Sequence, residues 1–277
     1  MSRPLTPRTR TLMHLALMGA ALLFACPLAW MVLSSLKSGT EIAANPTGAW
    51  PESWQWENYA DAVTVIPYGT YLRNSLVLCV GCVSGTLLSC SMVAYGFARL
   101  KWRGRKLMFG ILISTMLLPW QATMIPRFLL LKEVGLYDSL AALIVPTFLG
   151  DAFYIFLLRQ FFLTIPEELS EAARLDGCGE WGIFARIMLP LAKPALATVA
   201  LFQFVASWND FQGPLLYLND PYRFPLAYGL ERFVSSYSSE THLLLAAASL
   251  FTLPIVVLFF FTQRTFMRGI SAGGLKG

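Results

Sequence analysis

The stretch TIPEELSEAARLDGCGEWGIFARIMLPLAKP, Thr164–Pro194, is too polar to cross a membrane and too patterned for a random linker, yet it lies between two long apolar windows. Thr164 and Glu167 have the spacing of a capping box, Pro166 falls in the first turn, and Glu167 and Glu168 suit the positive end of a helix dipole. The pattern predicts a short helix over 166–175. Gly177 is then placed at the C′ position that stops it, and a second short helix over 180–189 is expected to end before Pro190. On the first helix Leu169, Ala172 and Ala173 fall at i, i+3 and i+4, a narrow stripe with two very small side chains that permit close backbone approach. Glu171 stands beside it, able to accept hydrogen bonds. Such a helix suits a groove on another protein or the surface of a bilayer, and spacing alone does not choose between them.

The flanking sequence places this loop in a membrane protein. Of the 277 residues, 56% are hydrophobic and 13% charged, about half the charge of a soluble domain. A span needs about 20 mostly apolar residues, and six windows qualify, near 12–36, 74–98, 107–126, 141–163, 195–217 and 243–263. The expected fold is all-α, a polytopic protein with six transmembrane helices. Residues 1–277 then form a single transmembrane domain, with 164–194 as one cytoplasmic loop and 37–73 as an external one. The first window follows Arg3, Arg8 and Arg10, as a signal peptide would, and Leu23-Phe24-Ala25-Cys26 faintly resembles a lipoprotein cleavage site. Its apolar run continues to Leu36, beyond a signal core, and bulky Phe24 suits cleavage poorly, so it is read as an uncleaved first helix.

Basic residues set the orientation. With the amino terminus inside, the cytoplasm receives Arg3, Arg8, Arg10, Arg99, Lys101, Arg103, Arg105, Lys106, Arg159, Arg174, Arg186, Lys193, Arg264, Arg268 and Lys276. Lys37, Arg73, Arg127, Lys132, Arg223 and Arg232 stay outside, six of 21. The bias puts both termini in the cytoplasm. It also places the short basic turn Arg99–Lys106 against anionic membrane lipid. The net charge of +5 is accounted for this way and leaves no solvated basic face for nucleic acid.

Cys26, Cys79, Cys82, Cys90 and Cys178 lack the paired spacing of a disulfide framework or a zinc site, so small thiols packing between helices are expected. His14 and His242 fall near opposite membrane faces, and neither is assigned a metal. The external stretch carries Trp50, Trp54, Trp56, Tyr59, Tyr68 and Tyr71, which suit an interfacial belt or an external partner. Asp151 lies in the fourth window, and Asn209 and Asp210 in the outer half of the fifth. A carboxylate at the bilayer centre costs roughly 2.5–3.5 kcal/mol. Such residues are expected to face protein or water, as interhelical hydrogen bonds or as the lining of a pathway.

Glu171-Ala172-Ala173, three residues, Gly177, nine residues, then Ile187-Met188-Leu189-Pro190 matches without gaps the E-A-A-x3-G-x9-I-x-L-P loop of ABC importer permeases, and the chain resembles that family. Phe156-Leu157-Leu158-Arg159-Gln160-Phe161-Phe162 before the loop and Ser207-Trp208-Asn209-Asp210-Phe211 after it resemble the carbohydrate-uptake branch. Gln263-Arg264 and Gly269 to Gly277 resemble the carboxyl terminus of the second permease in maltose-type importers. Cys178 departs from the alanine more usual there, outside the matched positions.

The resemblance implies the type I ABC importer permease fold, without a cofactor and without catalysis by this subunit. It implies a heterodimer with a second permease subunit, two ATPase subunits that hydrolyse ATP, an external solute-binding protein, and a sugar or related polyol or glycoside as solute. By position, Glu171, Ala172, Ala173, Asp176, Gly177 and Pro190 belong to the ATPase-coupling unit. Gly273, Gly274, Lys276 and Gly277 form a tail reaching the ATPase dimer. Asp151, Trp208, Asn209, Asp210 and Phe211 lie near the translocation pathway, and 218–242 contacts the binding protein.

Two other classes fit less well. Gly177-Cys178-Gly179-Glu180-Trp181-Gly182 satisfies G-x-G-x-x-G, but it follows an expected helix where a dinucleotide site needs a strand. No G-x-x-x-x-G-K-[ST] phosphate loop is present. A secondary transporter or channel acting without an ATPase would accommodate the intramembrane carboxylates, but such proteins often carry inverted repeats and none is evident.

Overall fold

The computed structural model of the chain describes residues 6–236 and 240–273, and among them every regular element is helical. In chain order these are α1 (Pro7–Ser34), α2 (Gly39–Ala44), α3 (Glu57–Val65), α4 (Tyr68–Ala98), α5 (Arg105–Ser114), α6 (Trp120–Glu133), α7 (Ala141–Ile144), α8 (Ala152–Thr164), α9 (Glu168–Leu175), α10 (Glu180–Ile183), α11 (Leu189–Leu191), α12 (Lys193–Trp208), α13 (Gln212–Tyr217), α14 (Leu226–Ser236) and α15 (Thr241–Gly273). Four segments are long and apolar enough to cross a membrane, 8–34, 68–98, 141–164 and 241–263, and two bent pairs bring the number to six when each counts as one span.

The first bent pair interrupts the continuous window expected at 107–126, and the second turns just before the window expected at 195–217. Arg105–Leu117 and Trp120–Glu133 meet at 100°. The turn falls at Leu118, which precedes Pro119 and is extended, as the ring of a following proline demands. Glu180–Leu191 and Lys193–Trp208 meet at 76°. Here the helix does not end before Pro190: it runs on through a π-helical turn at Phe184–Met188 and takes Pro190 into the first turn of α11, where its missing N–H costs nothing. The fifth window breaks again after Trp208, and α13 follows from Gln212.

The chain forms two compact units, one up to Ile66 together with Leu230–Leu253, the other Pro67–Gly229 and from Pro254 onward. In the first unit, α1 keeps its apolar side chains exposed over its whole span window, as a lipid-facing helix does. Its end is stitched to α3. Asn58 Nδ2 donates to the carbonyls of Ser35 and Lys37, each at 2.8 Å, and the Ser35 and Tyr59 hydroxyls lie 2.7 Å apart. Buried Lys37 donates from Nζ to the Gly48 carbonyl. Trp50, Trp54 and Trp56 are exposed, the last two stacked at 6.1 Å.

In the second unit α4 is central, packed by α8, α12 and the 3₁₀ stretch Val145–Leu149. The approach to that stretch is close because Gly81 and Gly85 stand one turn apart on α4. A Cβ at Gly81 would come within 2.8 Å of Ile144, and one at Gly85 would collide with Thr147 and Phe148. Small residues at this spacing let helices in lipid touch backbone to backbone. Pro146 and Gly150, at φ +91°, unwind the chain here, freeing carbonyls that no water satisfies in a bilayer. Helix α4 supplies donors: Cys82 to Leu143 O at 3.6 Å and Ser89 to Thr147 O at 2.9 Å, while Cys90 adds a contact at 3.8 Å to Asp151 O, which already accepts from Ile155 N–H at 2.9 Å. The thiols therefore do more than fill space between helices.

Candidate functional site

Two places in the second unit gather the residues that the motifs single out. The first is α9, whose end is built as expected. Cys178 N–H donates to Ala173 O at 2.9 Å and Gly177 N–H to Arg174 O at 3.0 Å, the paired bonds of a Schellman stop, with Gly177 at φ +78°. Its start differs: the helix begins at Glu168, Glu167 caps it without a side-chain bond, and Thr164 turns back to donate to Phe161 O at 2.7 Å. Proline at 166 holds the chain extended at Ile165, so the residue before it leaves the helix and the capping-box geometry is lost.

The faces of α9 divide the expected stripe. Ser170 is buried and Ala173 packs against the core around Tyr95, Phe162 and Met188, while Leu169, Glu171, Ala172, Asp176 and Gly177 are exposed. Leu175 is 89% exposed and Trp181 70%, so the outward surface is more apolar than its two alanines suggest. Pro190 is exposed in the following bent segment. Polar contacts fix the approach to α9 and its C-terminal end. Arg99, at the C-terminal end of α4, donates to the carbonyls of Phe162 and Ile165. Beyond α9, Glu180 accepts from Tyr95 of α4 at 2.6 Å and from Arg174 of α9 at 2.8 Å. These two bonds, Arg174 first, hold the Glu180 carboxyl below its ordinary pKa.

The second place is a cavity of about 360 Å³ between the broken spans, whose polar lining includes Arg127, Thr147, Gln203, Ser207 and Asp210 beside the rings of Trp120 and Tyr217. Gln203, Ser207 and Asp210 follow one face of the end of α12, at i, i+4 and i+7. Thr86 of α4 donates to Gln203 Oε1 at 3.1 Å and Gln203 Nε2 donates to Ser207 Oγ at 2.8 Å, so the ladder is fixed in orientation. Asp210 lies where the helix breaks, and its Oδ1 accepts from Gly213 N–H at 2.9 Å as the chain turns into α13. At one end, Asp138 accepts from the backbone N–H groups of Asn219 and Asp220 at 2.9 and 3.0 Å and pairs with Arg223 at 3.2 Å. Those amide bonds, with Arg223 adding to them, keep its carboxyl below the usual range.

The other residues singled out for the pathway sit apart from this lining. Trp208 is buried with its ring stacked on Phe204 at 5.6 Å, and Phe211 stacks on Tyr228 at 5.8 Å. Asn209 turns its amide back onto Val205 O at 2.8 Å. Asp151 caps α8, accepting from Phe153 and Tyr154 N–H at 2.9 and 3.2 Å. Of the tail, α15 reaches Gly273, while Gly274, Lys276 and Gly277 lie outside the described residues. Sequence reasoning missed Gln203, Ser207, Trp120 and Arg127. The i, i+4, i+7 spacing that ends on Asp210 was the available signal for the first two.

Residues 85–272, which carry both the Thr164–Pro194 loop and most of the cavity, match the model of the binding-protein-dependent transport system inner membrane component family. The chain belongs to that family. This permease is 34% identical to the arabinooligosaccharides transport system permease protein AraQ of Halalkalibacterium halodurans over the full length of both chains. It is 32% identical to the diacetylchitobiose uptake system permease protein NgcG of Streptomyces coelicolor, covering 97% of this chain and 90% of that one. Its structure superposes on a chain of a bacterial ABC transporter that imports the acidic polysaccharide alginate, with a TM-score of 0.79 at 26% identity, covering 96% of this chain and all of that one. The permease is thus a multi-pass membrane protein with the ABC importer permease fold, the transmembrane subunit of a binding-protein-dependent transport system.

Proposed function

We propose that this permease is one of two paired membrane subunits of an ATP-driven saccharide importer, and that α9 is the surface through which an ATPase subunit drives it. The observation that carries this reading is the outward face of α9. Leu169, Ala172 and Leu175 stand exposed on a helix whose opposite side, Ser170 and Ala173, is anchored in the bundle. A short apolar face on a fixed platform suits a groove in a partner better than a lipid surface, which would favour basic residues beside it. Glu171 stands at its edge, and Glu168 falls one turn before it.

In this reading both termini are cytoplasmic, ATP is hydrolysed by a partner subunit, and an external binding protein delivers the solute. The segment from Gly273 to Gly277 reaches the ATPase dimer. The saccharide class is supported by what the relatives carry, arabinooligosaccharides and diacetylchitobiose, and by the cavity itself. Trp120 and Tyr217 offer ring faces, and Gln203, Ser207 and Asp210 offer polar groups of the kind that hydroxyls need. Asp151, Trp208, Asn209 and Phe211 then shape the pathway wall, and Asp210 faces the solute.

The test is Glu171→Lys, which reverses a charge on an exposed face without touching the core. The expected result is normal membrane insertion and pairing with the second permease, with ATP-driven uptake lost. Uptake at the wild-type rate would show that α9 is not the docking surface.

A further inference from the structure

Glu180 immediately follows the second of the two glycines, Gly177 and Gly179, that come after α9, and no motif singles it out. We propose that Glu180 is the positioning residue that carries displacement of α9 into helix α4, and through α4 to the cavity; the proposal rests on the docking reading of α9. One carboxylate holds both helices. Its Oε1 accepts from Arg174 Nε on α9 at 2.8 Å and its Oε2 from the Tyr95 hydroxyl on α4 at 2.6 Å. Both distances belong to charge-assisted hydrogen bonds, which are directional and stronger than neutral ones.

The two ends of this bridge differ in burial, and that gives it a direction. Arg174 is exposed on the docking helix. Tyr95 is 5% exposed and its ring is wedged between Phe162, at 6.3 Å, and Phe184, at 5.2 Å. A tyrosine held on two sides cannot rotate away when its hydroxyl is pulled, so a pull on Glu180 moves α4. Helix α4 is continuous over 31 residues. Cys82, which lines the cavity, stands 95 − 82 = 13 residues before Tyr95, about 20 Å along the axis at 1.5 Å per residue. A straight helix transmits an axial shift over that length without loss of register.

The other polar tie between the loop and the end of α4 does not serve. Lys101 and Glu167 lie 3.5 Å apart with side chains 84% and 53% exposed, against 2.8 Å and 39% and 43% for Arg174 and Glu180, so solvent screens the Lys101 pair more and no buried third group such as Tyr95 backs it. Arg99 grips Phe162 and Ile165, which precede α9, so it fixes the platform and leaves the docking helix itself free.

The experiment uses the complete transporter in nanodiscs, with both permeases and the ATPase subunits. Two quantities are read. One is ATP hydrolysis. The other is maleimide labelling of the native Cys82, which is 3% exposed and so reacts only when α4 shifts away from the cavity wall, resolved from the other cysteines by peptide mass spectrometry, with and without MgATP. In the wild type, MgATP changes the labelling rate of Cys82. Glu180→Gln and Tyr95→Phe are expected to keep hydrolysis within about twofold while reducing that nucleotide-driven change by about tenfold, inside the usual range of coupling between sites. Combined, the two substitutions are expected to do no more than either alone, since they cut the same chain. Tyr95→Phe keeps the packed ring, so co-purification of all subunits serves as its check of assembly.

A nucleotide-driven change that survives in both variants at more than half its wild-type size overturns the relay. A wild type in which MgATP leaves Cys82 unchanged overturns it equally. Glu171→Lys separates the two layers: if it keeps its ATPase subunits and takes up solute at the wild-type rate, the docking surface is wrong, whereas if it loses uptake while Glu180→Gln stays coupled, docking is right and the relay is wrong.

Discussion

Replacing Asp210 by alanine separates a pathway role from a structural one, because the two readings predict opposite signs for stability and transport. The variant loses the acceptor for Gly213 N–H at the start of α13, a loss of the kind that costs about 1 kcal/mol at a helix start. It also removes a carboxylate from the membrane span, a gain of up to about 2.5–3.5 kcal/mol at the bilayer centre, less where the cavity admits water. The sum leaves the fold unchanged or more stable by up to about 2.5 kcal/mol. If Asp210 holds a solute hydroxyl, the same change removes a charge-assisted hydrogen bond worth about 1.5–3 kcal/mol, roughly a ten- to hundredfold loss in uptake. The assays are thermal unfolding of the purified complex and ATP-driven uptake into proteoliposomes. Expected is an unaltered or raised midpoint with uptake down at least tenfold. Loss of assembly, or a raised midpoint with uptake intact, refutes the assignment of Asp210 to the solute. Asp210→Asn adds a control, since it keeps the acceptor for Gly213 and discards only the charge.

Three further outcomes are open to measurement. Leu175→Asp is expected to weaken retention of the ATPase subunits by tenfold or more in pull-down, because an apolar side chain now 89% exposed would otherwise bury about 1.5–3 kcal/mol on docking; normal retention would remove Leu175 from the interface. Gly85→Ala is expected to lower the unfolding midpoint by an overpacking cost of about 1–3 kcal/mol, and Phe148→Ala in the same chain to restore part of it, since Phe148 is one of the two side chains, with Thr147, that the new methyl group meets. The Asp138 pair is expected to fail in acid. Its folded pKa is depressed, so its contribution is fully present above the unfolded value near 3.8 and is lost as pH falls below it towards the folded one. Proteolysis of the 132–140 and 218–224 segments should therefore accelerate below about pH 4 in the wild type but show no such step in Asp138→Asn.

The all-α fold was legible because six apolar windows leave an aqueous chain no other explanation, and the docking loop was legible because caps and glycine stops are local. The breaks were not. A hydropathy window averages over side chains and is blind to backbone direction, so the 100° turn at Leu118 and Pro119 and the break after Trp208 fall inside stretches that score as continuous. The same blindness hid the cavity. Asp210 stood out as a charge in an apolar run, but Gln203 and Ser207 are too mildly polar to register, and Arg127 was assigned to the outer end of a straight span that in fact folds back. On α9 the alanines at 172 and 173 looked alike, since only packing decides that one faces the core and the other does not.

The thiol contacts on α4 give the broken span an uneven attachment. Sulfur donors at 3.6 and 3.8 Å hold weakly, whereas Ser89 grips the Thr147 carbonyl at 2.9 Å between them. The interface is therefore pinned at one point, and the close fit of Gly81 and Gly85 against Ile144, Thr147 and Phe148 keeps it in register. At its far end Asp151 O also accepts from Ile155 N–H at 2.9 Å, so loss of the Cys90 contact leaves that carbonyl paired. A polar group with two partners in lipid can give one up without being left bare.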